Sequence, residues 1–229
     1  MSKIIIANFK MNGTVSSISN WFNVLSEQNK ISNHIIAALP SIYLAKFSNH
    51  GIDLASQNVS SQDHGAYTSQ ISAEMLSDYD IGYSLIGHSE SRKFLNESNQ
   101  DILKKYKQLK KYSIKPIICI GESSEVREKN LFSSFINEQL SLFTNIKDEM
   151  IVAYEPIWAI GTGLIPAIND INEASELIRR SISNVKVLYG GSVNEKNASN
   201  LLDNSNIDGL LVGGASLNPK EFAKIAQLC

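Results

Sequence analysis

Short apolar runs recur along the chain, and each is followed by a polar or glycine-containing segment and then by a stretch with helical spacing. Within each run the apolar residues are continuous rather than alternating, which is typical of strands that are buried on both faces and pair in parallel. The pattern predicts eight strands, at residues 4–8, 35–39, 53–56, 83–86, 115–120, 151–154, 186–189 and 209–212.

Apolar residues three and four positions apart predict helices between the strands. Two long helices are predicted at residues 99–112 and 123–143, and a brief one at residues 41–47. Asp170 opens a further helix with a start like a capping box, and Pro219 opens the last one, where its missing N–H costs nothing. The lysines at positions 104, 105, 107, 110 and 111 are predicted to form a solvated helix face.

Eight strand–helix units without a break in composition predict a single (β/α)8 TIM barrel, an α/β domain that spans residues 1–229. The competing architecture is an open doubly wound sheet, which usually carries a glycine-rich fingerprint after its first strand. Phe9 and Lys10 stand at that point instead. The number of units and the missing fingerprint both favour the barrel.

Composition narrows the class of protein further. Of the 229 residues, 43 % are hydrophobic and 19 % are charged, as in an ordinary globular protein, and the net charge of -2 gives no reason to expect a nucleic-acid partner. No run of about 18 apolar residues predicts a membrane-spanning helix, and the first strand leaves no room for a separate signal segment. Cys119 and Cys229 do not make a disulfide framework, so a cytoplasmic protein with free thiols is predicted.

Chemically useful side chains follow three of the predicted strands, and the active site of such a barrel lies at the carboxyl ends of its strands. Asn8 and Lys10 close the first strand, His88 the fourth and Glu155 the sixth. One carboxylate, one imidazole, one cation and one amide suit proton abstraction next to a carbonyl, with Glu155 as the base and the others stabilising the oxygen. No cluster of histidine, cysteine and carboxylate residues has metal-ligand spacing, so no metal is predicted.

Glycines gather at the ends of the sixth, seventh and eighth strands. Gly161, Gly213 and Gly214 allow backbone N–H groups to approach an oxyanion closely, and Ser192 adds a hydroxyl donor. The loops after strands seven and eight are a recurrent phosphate site in barrels. A phosphorylated small molecule is therefore predicted as the substrate.

The segment after the sixth strand combines the candidate base with an apolar loop. Pro156 restricts the exit from Glu155, and the loop then carries Ile157, Trp158 and Ile160. Apolar residues in a loop need a surface to close over. This segment is therefore predicted to be a lid attached to the base.

The same residues also allow other interpretations. Lys10 could form the Schiff base of a phosphate-binding barrel aldolase, or the barrel could be a non-catalytic binding or interaction protein. Cys119 ends a buried strand either as inert packing or as support for Glu155. Glu90 is either a helix cap or a partner of Lys10, and the second interpretation is favoured.

Five segments, in this order along the chain, together resemble triosephosphate isomerases. They are residues 7–13, 86–90, 153–163, 189–194 and 211–217. Each segment alone is a weak or moderate signal, but the ordered set extends from the first strand to the eighth and is specific.

The resemblance implies interconversion of dihydroxyacetone phosphate and D-glyceraldehyde 3-phosphate without a cofactor, a reaction of glycolysis and gluconeogenesis. Glu155 would be the proton-shuttling base and His88 a neutral electrophile, by the logic of pKa tuning known for this family. Asn8 and Lys10 would bind the substrate. The resemblance implies that the phosphate is held by Gly161, Ser192, Gly213 and Gly214.

The resemblance also implies a lid and a dimer. The lid would run from Pro156 to about Pro166 and keep water from an enediolate phosphate, which can otherwise eliminate its phosphate. The loop that includes Gly65 and Thr68 resembles the protruding third loop of the family, which enters the neighbouring subunit. A homodimer is implied, with Thr68 near the active site of the neighbouring subunit.

Four positions differ from the usual pattern of the family. Ser91 and Ser69 stand where an arginine and a glycine are common, and Leu164 and Phe9 stand where a lysine and a tryptophan are frequent. None of the four is one of the proposed catalytic side chains.

Overall fold

The computed structural model describes residues 2–28 and 30–228. Eight parallel strands close into a barrel in chain order, with the last strand paired to the first. They are β1 Ile4–Asn8, β2 His34–Leu39, β3 Asp53–Ser56, β4 Tyr83–Ile86, β5 Lys115–Ile120, β6 Met150–Tyr154, β7 Val185–Tyr189 and β8 Gly209–Val212. The predicted (β/α)8 barrel is confirmed, and β2, β6 and β7 begin one residue earlier than predicted.

Helices cover the outside of the barrel. They are α1 Val15–Ser26, α2 Ser41–Phe47, α3 Ala73–Ser77, α4 Ser89–Leu95, α5 Asn99–Lys111, α6 Ser124–Glu128, α7 Phe132–Leu140, α8 Ile168–Ser181, α9 Ala198–Asn204 and α10 Pro219–Ala226. Short 3-10 helices, Ile157–Ala159 and Gly214–Leu217, follow β6 and β8. Within residues 2–28 and 30–228, none of the helices has the length and apolarity needed to cross a bilayer.

The prediction of one long helix over residues 123–143 is wrong, because α6 and α7 are separate. Asn130 lies between them with φ = 56°, in the left-handed region that a right-handed helix cannot include. The interruption changes which side chain faces the core. Phe132 is buried, whereas Leu131 is 49 % exposed.

Two further helix predictions are corrected. Helix α8 begins at Ile168, so Asp170 lies inside its first turn, where its carboxylate accepts the Ala167 N–H at 3.2 Å. Lys105 is buried rather than solvated, because it shares the inner face of α5 with Ile102, Tyr106 and Leu109. Its ammonium binds the carboxylate of Glu97.

The strand period determines which side chains enter the barrel. Alternate residues of a strand point to the same face, and Ile4 and Ile6 of β1 both belong to the apolar cluster inside the barrel. The next residue of the same parity is Asn8. Ile151 and Ala153 of β6 lead in the same way to Glu155. The interior pattern therefore directs Asn8 and Glu155 into the mouth of the barrel at the carboxyl ends of the strands.

Candidate active site

Asn8 and Lys10 lie at the end of β1, and hydrogen bonds hold both of them. The buried Asn8 side chain accepts the Lys10 backbone N–H through Oδ1 at 3.0 Å, and its Nδ2 lies 3.4 Å from His88 Nε2. Lys10 has φ = 50°, a conformation that costs energy in any residue with a Cβ. Gln57 Nε2 donates to the Lys10 carbonyl at 2.8 Å. The strained backbone is thus fixed from both sides.

The contact expected between Glu90 and Lys10 is present. Lys10 Nζ donates to Glu90 Oε1 at 2.8 Å. Both side chains are partly exposed, so the pair adds little to the stability of the fold. Its consequence is geometric, because it restricts the position of the ammonium group at the barrel mouth.

His88 is the N-cap residue of α4. Its Nδ1 accepts the backbone N–H of Glu90 at 3.2 Å, and its Nε2 lies 3.1 Å from Glu155 Oε1. Since Nδ1 accepts a hydrogen bond, the proton of the neutral ring belongs on Nε2. That is the ring atom that faces Glu155.

Two influences act on the pKa of His88 in opposite directions. Burial lowers the pKa, but the charge of Glu155, assisted by that of Glu90, raises it above the ordinary value of 6.5. The hydrogen bond from the Glu90 N–H favours the neutral ring, because a protonated Nδ1 could not accept it. The charge of His88 therefore depends on whether the Glu155 carboxylate is beside it.

Glu155 is almost completely buried, with 2 % of its surface exposed. Its Oε2 accepts the Ser89 N–H at 3.3 Å, and its own backbone N–H donates to the Ile120 carbonyl at 2.7 Å. Gly190 leaves room for the side chain, since a Cβ at that position would lie 2.9 Å from Glu155 Cγ. The start of α4 therefore holds the carboxylate, the end of β5 holds the Glu155 backbone, and the glycine after β7 leaves space for the side chain.

Cys119 is fully buried inside the barrel. Burial and then the charge of Glu155 raise the pKa of its thiol well above the ordinary value. A neutral, buried thiol is unreactive, so Cys119 packs beside Glu155 without offering a nucleophile. The second cysteine, Cys229, lies outside the described residues.

A cavity of about 400 Å³ opens at this end of the barrel. Its lining includes all eight residues predicted for catalysis and phosphate binding: Asn8, Lys10, His88, Glu155, Gly161, Ser192, Gly213 and Gly214. Thr68 lies apart from them and is exposed in the loop after β3.

Two hydrogen bonds that involve side chains attach the predicted lid segment to the barrel. Ser192 Oγ donates to the Ala159 carbonyl at 2.6 Å, so the hydroxyl predicted to bind phosphate is engaged by the lid segment in this arrangement. On the other side, Trp158 Nε1 donates to Glu122 Oε1 at 3.1 Å. Movement of the segment would require both hydrogen bonds to break.

Glu122, the residue that holds Trp158, had no role predicted from the sequence. Glu122 is fully buried, and its Oε1 also accepts from Arg127 Nε at 2.8 Å and from the Tyr154 hydroxyl at 3.0 Å. The available signal was the position of Glu122 just after β5, because a carboxylate that follows a buried strand needs partners. Arg127 gave no comparable signal, since it lies on the outer helix α6.

Within residues 2–28 and 30–228, no group of three or more histidine, cysteine, aspartate or glutamate side chains could hold a metal ion. The polar side chains that line the cavity instead supply one carboxylate, one imidazole, two amides, one ammonium and one hydroxyl. Such a set can move a proton and stabilise an oxyanion.

Comparison with known proteins identifies the family of this chain. The family model described as triosephosphate isomerase matches residues 3–229. The chain belongs to the triosephosphate isomerase family. A triosephosphate isomerase of Mesomycoplasma hyorhinis is 41 % identical over 100 % of this chain and 99 % of that relative. One of Francisella philomiragia subsp. philomiragia is 39 % identical over 98 % of this chain and 96 % of its own length.

Membership in the triosephosphate isomerase family confirms the predicted enzyme class, an isomerase. The segments that carried the resemblance lie at the carboxyl ends of β1, β4, β6, β7 and β8. Each of these five segments contributes at least one residue to the lining of the same 400 Å³ cavity.

Proposed function

We propose that this enzyme interconverts dihydroxyacetone phosphate and D-glyceraldehyde 3-phosphate, a step of glycolysis and gluconeogenesis. The relatives named triosephosphate isomerase support this substrate pair. The observation that carries the proposal is the 3.1 Å separation of Glu155 Oε1 from His88 Nε2 inside a cavity that Lys10 and Asn8 also line. A base and an oxygen-polarising group at this separation can act on adjacent atoms of a small substrate.

The proposed reaction is a proton transfer between neighbouring carbons. Glu155 removes a proton from the carbon next to the carbonyl and returns it to the former carbonyl carbon, by way of an enediol or enediolate, while the hydroxyl proton on the first carbon moves to the former carbonyl oxygen. His88, through its Nε2–H, donates a hydrogen bond to the oxygen on which negative charge develops. Lys10 and Asn8 bind the substrate and stabilise the same charge. No redox cofactor is needed, because the electrons stay within the substrate.

The phosphate group is proposed to bind opposite these side chains. Gly161, Gly213 and Gly214 line that part of the cavity, and glycine backbones allow N–H groups to come close to the phosphate oxygens. Ser192 would join them when its hydroxyl leaves the Ala159 carbonyl. Phosphate binding and movement of the lid segment are therefore expected to be linked.

The lid is proposed to extend from Pro156 to about Pro166. Its apolar residues Ile157, Leu164 and Ile165 are 39 %, 58 % and 46 % exposed in this arrangement, which is unfavourable unless another conformation covers them. Closing over the phosphate would exclude water from the intermediate. The lid thereby prevents loss of phosphate.

A homodimer is proposed through the loop that contains Gly65 and Thr68. Large apolar side chains are exposed in the segments that follow β1, β2 and β4: Met11 at 96 %, Ile42 at 81 % and Leu95 at 64 %. The loop is joined to the active site by Gln57, whose amide donates to the Lys10 carbonyl. A second copy that covers this surface would therefore stabilise the strained residue Lys10.

The proposed function is tested by a coupled assay with purified enzyme and D-glyceraldehyde 3-phosphate, in the presence and absence of EDTA. We expect turnover far above the isomerisation rate that a free base in solution gives, and EDTA should not change it. Absence of turnover would overturn the proposal.

An aldolase mechanism is distinguished by borohydride. Lys10 Nζ is hydrogen-bonded to Glu90, and attack of its amine on a carbonyl would require that bond to break. We expect that borohydride with a keto-phosphate leaves Lys10 unmodified, as read by mass spectrometry.

A further inference from the structure

We propose that Gln139, on the outer helix α7, is a positioning residue for the base Glu155 and for the first residues of the lid. Its side-chain amide fixes the backbone of residues 120–122, to which Glu155 and the first residues of the lid are both hydrogen-bonded. The inference rests on the proposed function, because it assigns Glu155 and the lid their roles in the reaction.

The amide of Gln139 makes two hydrogen bonds to one residue. Its Oε1 accepts the Gly121 N–H at 2.9 Å, and its Nε2 donates to the Gly121 carbonyl at 3.3 Å. Pairing between β5 and β6 ends at Ile120 and Tyr154. Gln139 thus supplies the next donor and acceptor, as a neighbouring strand would, at the point where the barrel ends.

The clamped residue lies directly against the base. A Cβ on Gly121 would be 1.8 Å from the carbonyl oxygen of Glu155, so the two backbones are in contact and only glycine fits. The residue before it, Ile120, accepts the Glu155 N–H at 2.7 Å. The residue after it, Glu122, accepts the N–H of Ile157, the first residue of the 3-10 helix in the lid, at 2.9 Å.

Packing alone does not hold this backbone. A second cavity, of about 710 Å³, lies outside the barrel wall, and its lining includes Gly121, Gln139 and Ile157. A backbone segment beside a cavity has room to shift, and a shift of Gly121 would move Glu155 and Ile157 together. The two hydrogen bonds from Gln139 oppose that movement.

The residue type at position 139 is informative. Phe132, Ile136 and Leu140 form the buried face of α7, and Gln139 is buried on the same face. A glutamine there must be hydrogen-bonded to offset its desolvation, and Gly121 satisfies its amide at both ends. Gln139 is not part of the lining of the 400 Å³ cavity, so it acts through Gly121 rather than on the substrate.

The first test compares Gln139→Leu with wild type and with Glu138→Gln, a control on the adjacent position of α7. Active sites are counted by titration with phosphoglycolate, so that loss of folded enzyme is not read as loss of rate. For Gln139→Leu we expect kcat per active site to fall about 10- to 100-fold with KM changed less than about two-fold, and more phosphate to be released per turnover. The control should keep wild-type values.

The second test uses Gln139→Glu and pH. A glutamate carboxylate can accept the Gly121 N–H but cannot donate to its carbonyl, whereas the protonated side chain can do both. Burial raises the pKa of such a carboxyl. The ratio of variant to wild-type kcat should therefore rise as the pH is lowered from about 8 towards about 5.

These outcomes separate the inference from the function on which it rests. Wild-type enzyme without turnover would overturn the proposed function. Turnover in the wild type, together with an unchanged kcat per active site in Gln139→Leu, would overturn the role of Gln139. Should Gln139→Leu not fold, the Gln139→Glu variant decides, and a ratio that does not change with pH overturns the role.

Discussion

Glu155 can act as the proposed base only while its carboxylate reaches the atoms beside His88 Nε2, so the length of its side chain matters. Glu155→Asp keeps the charge but retracts the carboxylate by one methylene. A displacement of ~1 Å can cost on the order of 10²-fold in rate, and we expect a loss of kcat of that order in steady-state assays. Glu125→Asp, on the exposed helix α6, is the matched control and should be unaffected. Unchanged kcat in Glu155→Asp would contradict the assignment.

The pKa of His88 should respond to the charge of Glu155. In the wild type Glu155 raises this pKa above 6.5 against the effect of burial, and Glu155→Gln removes the largest raising influence. We expect NMR titration of the ring to give a lower pKa in Glu155→Gln than in the wild type. An equal or higher value would show that another group controls the ring.

The same shift has a consequence for stability. A folded-state pKa above the unfolded value means that protonated His88 stabilises the wild type below pH 6.5, and that this contribution is lost as the pH rises through the folded-state pKa. We would measure denaturant unfolding of wild type and Glu155→Gln below pH 6.5 and above the folded-state pKa of His88. The difference in unfolding free energy between the two proteins should shrink as the pH rises.

Residues at strand ends were predictable from the sequence, and residues that act through helices were not. Asn8 and Glu155 continue the inward parity of β1 and β6, which an apolar run reveals directly. Glu122 follows β5, but its role depends on Trp158 reaching it from the lid. In the sequence, Gln139 is one polar residue of an amphipathic helix. Only the packing of α7 on the barrel brings its amide to Gly121.

Elements were predicted well where periodicity alone defines them. The strands are continuous apolar runs, so their bounds agree with prediction to within one residue at each end. The break between α6 and α7 was missed because Asn130 adopts a left-handed conformation within a segment whose apolar spacing continues through it. The prediction of a solvated Lys105 was wrong because Lys105 lies three residues after Ile102 and four before Leu109, on the inner face of α5.

Removal of the proposed lid is expected to separate protection of the intermediate from proton transfer. Deletion of residues 157–161 removes the Trp158 bond to Glu122 and the Ala159 bond to Ser192 but leaves β6 and Glu155. We expect a folded protein, checked by circular dichroism, that releases a larger share of its substrate phosphate as inorganic phosphate, because water then reaches the enediolate. Isomerisation without extra phosphate release would count against the lid.

For the whole molecule, the closed barrel places residues from β1, β4 and β6 around one cavity even though Asn8 and Glu155 are far apart in the chain. We propose that residues 1–229 form a single domain, as predicted. The sequence could predict this architecture because eight units repeat. The assembly of two copies is harder to predict, because it depends on exposed side chains that have no periodicity.

The homodimer can be tested by one substitution with a matched control. Thr68→Arg adds length and charge at the tip of the loop that is proposed to enter the second copy, whereas Thr144→Arg adds the same side chain at an exposed position after α7. We expect wild type and Thr144→Arg to sediment at twice the 25.3 kDa of one chain. The Thr68→Arg dimer should be weaker, so that this variant stays monomeric up to higher protein concentrations than the wild type. Because the loop is tied to Lys10 through Gln57, dissociation should also lower kcat. A wild type that sediments as one chain and retains full activity would contradict both the dimer and its support of the active site.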